Sequence, residues 1–293
     1  MPRIAFIMNP ISGTKNKDAA RNHILQTFGD AAGDEPTVHV TTHAGDGYAQ
    51  ALRFAQQQYD TVVAVGGDGT VNEVARGLLH SRTALGIIPM GSGNGLARHL
   101  HVPLRLEKAV DVIRAGCSRR IDAAEINGRV FFCTSGVGFD ALIGNLFNSK
   151  GKRGMYNYVK LATKAAVQYT SHKYRIEIDG QTLYRKAFLI TFANASQWGN
   201  NAYIAPHADI SDGWLDVVIL NRYAVVAAPV LLPRLFARSI HKAWTTEILR
   251  GKRIKIIRAK DDYVHFDGES AVMGKVLDVQ ILPLALNVII PPE

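Results

Sequence analysis

An α/β domain built on parallel strands, followed by an antiparallel β-sandwich, is the fold class this sequence predicts, on three observations. Over about the first 120 residues, short apolar runs alternate with amphipathic helical stretches, the pattern of parallel strands joined by crossover helices. Two of those runs end in glycine-rich turns that lead straight into helical patterns. From Ile121 onward the texture changes to short alternating runs punctuated by Asx-Gly pairs, the mark of antiparallel hairpins.

In the first region the predicted strands are Ile4–Met8, Thr37–Thr41, Thr61–Val65 and Ala84–Ile88. Val71, Val74, Ala75 and Leu78 follow the third at helical spacing. In the second region the runs are Arg129–Thr134, Arg175–Ile178, Ala187–Ala193, Leu215–Leu220, Ile254–Ile257, Val276–Leu282 and Leu286–Ile290. Asn127-Gly128, Asp179-Gly180, Asp212-Gly213 and Asp267-Gly268 separate or flank them. Helices are expected near Tyr156–Tyr169 and Val225–Trp244. The organisation is therefore a Rossmann-like parallel-sheet domain over 1–121 and a β-rich domain over 122–293. The last strand could return to the first domain.

Bulk properties narrow the class. Hydrophobic residues make up 47% of the 293 and charged ones 20%, a globular composition with enough chain for a real core. The net charge of +9 suits phosphate-bearing partners, whether nucleotide, anionic membrane or nucleic acid. Nucleic acid fits poorly, because no recognised binding module accompanies the charge. The two cysteines, Cys117 and Cys133, show no zinc spacing and read as buried thiols in a reducing compartment. The opening run Ile4–Met8 is too short for a signal peptide, and no run approaches the roughly 18 apolar residues of a membrane span. The expected location is cytoplasmic, with any membrane contact peripheral.

Gly66-Gly67-Asp68-Gly69-Thr70 lies between a strand and a helix. Its glycines let backbone N–H groups approach a ligand, and the helix N-terminus favours a phosphate there. Asp68 would repel that phosphate unless Mg²⁺ bridged the two; as a bare turn residue it would only cap the helix. Met90-Gly91-Ser92-Gly93-Asn94-Gly95 follows the next strand, and Asn9-Pro10-Ile11-Ser12-Gly13, with Lys15 and Lys17 beyond it, follows the first. Each alone reads equally as a connector. On one sheet edge they would form the walls of a nucleotide site.

Taken in order, these segments resemble the diacylglycerol kinase catalytic family, which includes bacterial lipid kinases and the sphingosine kinases. The resemblance rests on the Asn9–Gly13 turn, Gly66 to Glu73, Gly91 to Arg98, Asp212–Asp216 and Asp267-Gly268-Glu269, and spans essentially the whole chain. It implies an ATP-dependent kinase acting on a lipid hydroxyl, with ATP held by Asn9, Thr41, the Gly66–Asn72 loop (Gly66, Gly67, Asp68, Gly69, Thr70 and Asn72), Gly91 and Ser92. ATP would lie in the cleft between the two domains. Asp68 would manage a catalytic Mg²⁺, and Asp209, Asp212 and Trp214 would hold a structural Mg²⁺. Asp267 and Glu269 fall where the family has its general base; Asp267 as the base with Glu269 orienting it, and the reverse assignment, both stay open. Such a carboxylate can take the proton of a poorly nucleophilic hydroxyl. Gly95 departs from the many diacylglycerol kinases that carry Asp there and is closer to sphingosine-kinase-like members, which leaves the acceptor lipid open.

Two other readings compete: a soluble-substrate kinase of the NAD-kinase type, and a non-catalytic lipid- or nucleotide-binding regulator. The expected partner is a lipid substrate at a membrane surface, and the chain could also pair as a homodimer. Within Val225–Trp244, Leu231, Leu232, Leu235 and Phe236 share one helical face, with Arg234, Arg238 and Lys242 on another. Such a helix can lie on an anionic bilayer or pack its apolar face on its own domain. Basic clusters at Lys150–Arg153 and Arg250–Arg253 would add surface attraction or be ordinary loop charges.

Overall fold

The computed structural model describes residues 2–13, 17–29, 36–150, 165, 166 and 168–292. The chain forms two compact units, residues 1–121 with 284–293, and residues 122–283.

In the first unit, β1 (Ile4–Met8), β2 (Thr37–Val40), β3 (Thr61–Gly66) and β4 (Ala84–Pro89) alternate with α1 (Lys17–Phe28), α2 (Asp46–Gln56), α3 (Asp68–Gly77), α4 (Gly95–His99) and α5 (Leu106–Ala115). The strands pair parallel in the order β2-β1-β3-β4. Every residue of β3 and β4 is buried, as strands covered on both faces must be. Helices α2 and α3 pack closely because Gly77 carries no side chain: a Cβ there would lie 2.7 Å from that of Ala51.

The chain passes into the second unit along β5 (Ser118–Ile126). There follow β6 (Arg129–Phe131), β7 (Thr134–Gly138), α6 (Phe139–Lys150), β8 (His172–Ile178), β9 (Gln181–Ala193), β10 (Leu215–Asn221) and α7 (Ala228–Phe236). A 3₁₀ turn (Ile240–Lys242), β11 (Thr246–Gly251), β12 (Arg253–Arg258), β13 (Asp262–Phe266), β14 (Glu269–Met273) and β15 (Val276–Ile289) complete the order. Strands β14-β13-β7-β9-β8-β12 pair antiparallel, and β10 joins β9 to β11. Ile176, Phe192, Val217 and Ile256 of these strands are buried in one core with Phe131 of β6 and Leu277 of β15. In the hairpin turns Asn127-Gly128, Asp179-Gly180 and Asp267-Gly268 both residues have positive φ, the mirror-image geometry that matches strand twist.

Four expectations need correction. Arg129–Thr134 is two strands, because the amides of Phe132 and Cys133 leave the ladder to bond the Asp267 carboxylate. Val276–Leu282 and Leu286–Ile290 are one strand, β15, with Leu284 at φ 48° between them. Its first part pairs antiparallel with β12 and its end pairs parallel with β4. The helix expected over Val225–Trp244 is only α7, stopped after Phe236 as Arg238 turns to φ 53°. Cys133 is buried, but Cys117 is exposed. The expected helix near Tyr156–Tyr169, the Lys150–Arg153 cluster and Lys15 fall wholly or mostly outside the described residues.

Candidate functional site

Within the first unit, β2, β1, β3 and β4 all point their carboxyl ends the same way, so the turns that leave them share one edge. Ligands of open parallel sheets bind at this edge. The Asn9 amide donates to the Val65 carbonyl (3.1 Å), Thr41 to Met8 (2.9 Å) and Met90 to Gly66 (2.7 Å). Asn9, Thr41, Gly66–Thr70, Gly91 and Ser92 are thereby brought together. The turns touch backbone to backbone. A Cβ on Gly13, whose φ is +63°, would lie 1.8 Å from the Met90 carbonyl oxygen, and one on Gly91 would lie 2.7 Å from the Gly67 Cα. Asn94 closes the second turn on itself, accepting from the Gly91 amide (2.9 Å) and donating to the Gly91 carbonyl (2.8 Å).

Asp68 ties the first glycine turn to the second. Its carboxylate accepts the Gly95 amide at 2.6 Å and the Asn94 amide at 2.9 Å. Burial pushes its carboxyl above the ordinary aspartate range, and these two amides with the Arg98 charge oppose that rise. Capping is therefore one real role of Asp68, directed at the next loop as well as at its own amide at the start of α3. Helix α3 begins after Gly67, which offers no side-chain cap, so the amides of its first turn beyond Asp68 can meet an anion. The Thr70 hydroxyl is buried with no hydrogen-bond partner among the described residues. Bare glycine backbone, uncapped amides and an orphaned hydroxyl fit the phosphates of ATP. Asn72 is buried on α3. Glu73, which has no assigned role, accepts the Gly45 and Gly47 amides at 2.9 and 3.1 Å and so caps α2.

In the second unit, Asp267 accepts three amides, from Phe132 (2.7 Å), Cys133 (2.8 Å) and Thr134 (3.1 Å). Glu269 is exposed at the start of β14. Sequence reasoning missed the group beside them. His265 Nε2 lies 2.9 Å from Asp140 Oδ2, the same oxygen accepts the Thr191 hydroxyl at 2.9 Å, and both members of the pair are nearly buried. This pair anchors the strand that runs into the Asp267-Gly268 turn. It passes over Gly136, where a Cβ would lie 2.6 Å from Asp140 Oδ2 and 3.0 Å from His265 Nε2. Gly136→Ala should therefore cost about 2 kcal/mol, seen as a fall in Tm of roughly 5 °C in thermal unfolding.

The Asp209–Asp216 segment was expected to hold Mg²⁺. Asp212 accepts the Trp214 amide (3.0 Å) and pairs with Arg250, while Asp209 accepts the Ser211 amide and hydroxyl. Asp122 accepts the Gly213 amide at 2.7 Å. Burial pushes the Asp216 carboxyl up to about 6 in spite of Arg250 beside it. Arg250 thus holds the Asp212 carboxylate, and no group of three or more His, Cys, Asp or Glu side chains that could hold a metal forms among the described residues.

Comparison with known proteins bears on the whole chain. The model of the diacylglycerol kinase catalytic domain matches residues 3–126, and that of the YegS C-terminal NAD kinase beta sandwich-like domain matches residues 134–290. A diacylglycerol kinase from Bacillus subtilis (strain 168) is 31% identical over 100% of this chain and 98% of its own. One from Staphylococcus saprophyticus is 30% identical over 91% and 88%. The crystal structure of a diacylglycerol kinase from Bacillus anthracis str. Sterne shares the fold with a TM-score of 0.76 at 22% identity, covering 99% of this chain and 97% of that one. An NAD kinase from Archaeoglobus fulgidus in complex with ATP shares it more distantly, with a TM-score of 0.54 at 12% identity over 98% and 93%. With both halves matched in order and a full-length relative above 30% identity, the chain belongs to the diacylglycerol kinase family.

Proposed function

We propose that this kinase uses ATP to phosphorylate a hydroxyl of a lipid, diacylglycerol or a sphingoid-type base. The observation that carries the reading is the bare-backbone cradle at the carboxyl ends of β1, β3 and β4, where Gly13, Gly67 and Gly91 leave no room for side chains. Amides of the α3 N-terminus and the Thr70 hydroxyl would hold the phosphates. The acceptor oxygen forms a bond to the γ-phosphorus as the bond from phosphorus to the β,γ-bridging oxygen breaks, and ADP leaves. A divalent cation carried by the phosphates would neutralise their charge, with Asp68 the acidic side chain of that loop. Glu269 takes the acceptor proton. Asp267, engaged by three amides, is the positioning residue, the second of the two assignments the sequence left open.

Labelled ATP offered with a panel of lipids, with NAD and with no acceptor tests the reading. Label should enter one lipid class. Label in NAD alone would replace the lipid reading with the soluble-substrate one, and no transfer at all would favour a non-catalytic regulator.

A further inference from the structure

Apart from Arg234, every residue of helix α7 is apolar. Ala227, Leu231 and Leu235 face inward at a spacing of four and are buried with Phe188, Val218 and Leu220. The opposite side is equally apolar. Pro229, Val230, Leu232, Pro233 and Phe236 are exposed there, Leu232 by 53% and Phe236 by 51%. Beside them stand Val226 at 81% and Trp244 at 68% exposure. Tyr223, also exposed, lies 5.7 Å from Trp244 between ring centroids. A helix hydrophobic on every side belongs in a buried setting, and a contiguous exposed apolar patch marks a contact surface.

The charge around this patch selects its occupant. Residues 222–244 contain Arg222, Arg234, Arg238 and Lys242 and not one Asp or Glu. Among the described residues none of the four basic side chains forms an ion pair. Arg222 stacks on Tyr223, and Arg238 stacks on Tyr203 at 4.2 Å. A symmetric pairing of two copies would press this positive surface against itself. An anionic bilayer instead offers hydrocarbon to the apolar side, negative headgroups to the basic rim and an interface suited to Tyr and Trp.

We infer that residues 223–244 form a docking surface for an anionic phospholipid bilayer, with Val226, Val230, Leu232, Phe236 and Trp244 entering the headgroup region. The inference rests on the lipid-kinase reading only in that it explains how such an enzyme would meet its acceptor. Its test needs neither nucleotide nor acceptor, so either idea can fail alone.

The full chain is sedimented with vesicles of phosphatidylcholine alone and of phosphatidylcholine with phosphatidylglycerol, at low and high salt. Binding should favour the anionic vesicles and fall as salt screens the attraction. A Leu232→Ser, Phe236→Ser, Trp244→Ser variant and an Arg234→Gln, Arg238→Gln, Lys242→Gln variant should each bind at least about tenfold more weakly. Their thermal unfolding should match the parent, since all but Arg234 are exposed. Equal binding to neutral and anionic vesicles, or unchanged binding by both variants, would overturn the inference. So would light scattering that shows a dimer dissociated by the apolar variant, which would assign the surface to a second copy.

Discussion

Asp267→Ala is expected to destabilise the second unit and abolish activity together, whereas Glu269→Gln should abolish activity and leave stability untouched. The difference follows from what each carboxylate touches. Removing Asp267 strands the amides of Phe132, Cys133 and Thr134, and each buried donor left unpaired costs about 1–3 kcal/mol. Even with water satisfying part of the debt, a loss of about 3 kcal/mol and a fall in Tm of roughly 5–10 °C are expected. Glu269 is exposed at the turn, and as the acceptor-side base its loss should lower kcat by about 10²–10⁴. Affinity for ATP should be unchanged in Glu269→Gln. Full kcat in Glu269→Gln, alongside a stable but inactive Asp267→Asn, would return the base to Asp267.

Gly91→Ala should remove nucleotide binding from an otherwise folded protein. The added Cβ would sit 2.7 Å from the Gly67 Cα and 2.9 Å from the Asn94 side-chain oxygen, and the first of these is backbone that cannot swing aside. The two glycine turns would have to separate, and the amides aimed at the phosphates would lose their convergence. Gly93→Ala meets only the Asp68 carboxylate, at 2.8 Å, and should do less harm. Gly274→Ala, with nothing within 4 Å, is the neutral control. Calorimetric titration with ATP should show at least about a hundredfold loss for Gly91→Ala, the scale on which a misplaced site fails. Parental affinity in that variant would remove the cradle from the nucleotide site.

What could be read from the sequence was what is decided locally. Strands β3 and β4 announced themselves as unbroken apolar runs because both faces are covered, and the three Asx-Gly hairpins because few other residues tolerate two positive φ values in succession. The glycine turns were legible for the same reason. Illegible features depend on partners far along the chain. Asp68 reaches amides 26 and 27 residues away, which no local capping pattern encodes. Asp140 and His265 are 125 residues apart, and only Gly136, unremarked among other glycines, hinted at a close crossing. The overlong helix at Val225–Trp244 was a failure of periodicity: the pattern continued while Arg238 turned the backbone. That pattern also could not show that both sides of α7 are apolar for different reasons.

The closing of the first unit by the end of β15 has a consequence for how the protein is made. Asn287 and Val288 pair with Ala84 and Leu85 of β4, and Leu286, Val288 and Ile289 are buried. During synthesis these residues emerge only after the entire second unit, so β4 waits with one edge unpaired and its apolar neighbours uncovered while residues 122–283 are translated. An unpaired edge of that kind invites association with other chains. A ribosome-bound nascent chain halted before residue 284 should accordingly be cut by protease within the first unit, and become resistant once residues 284–293 have cleared the exit tunnel.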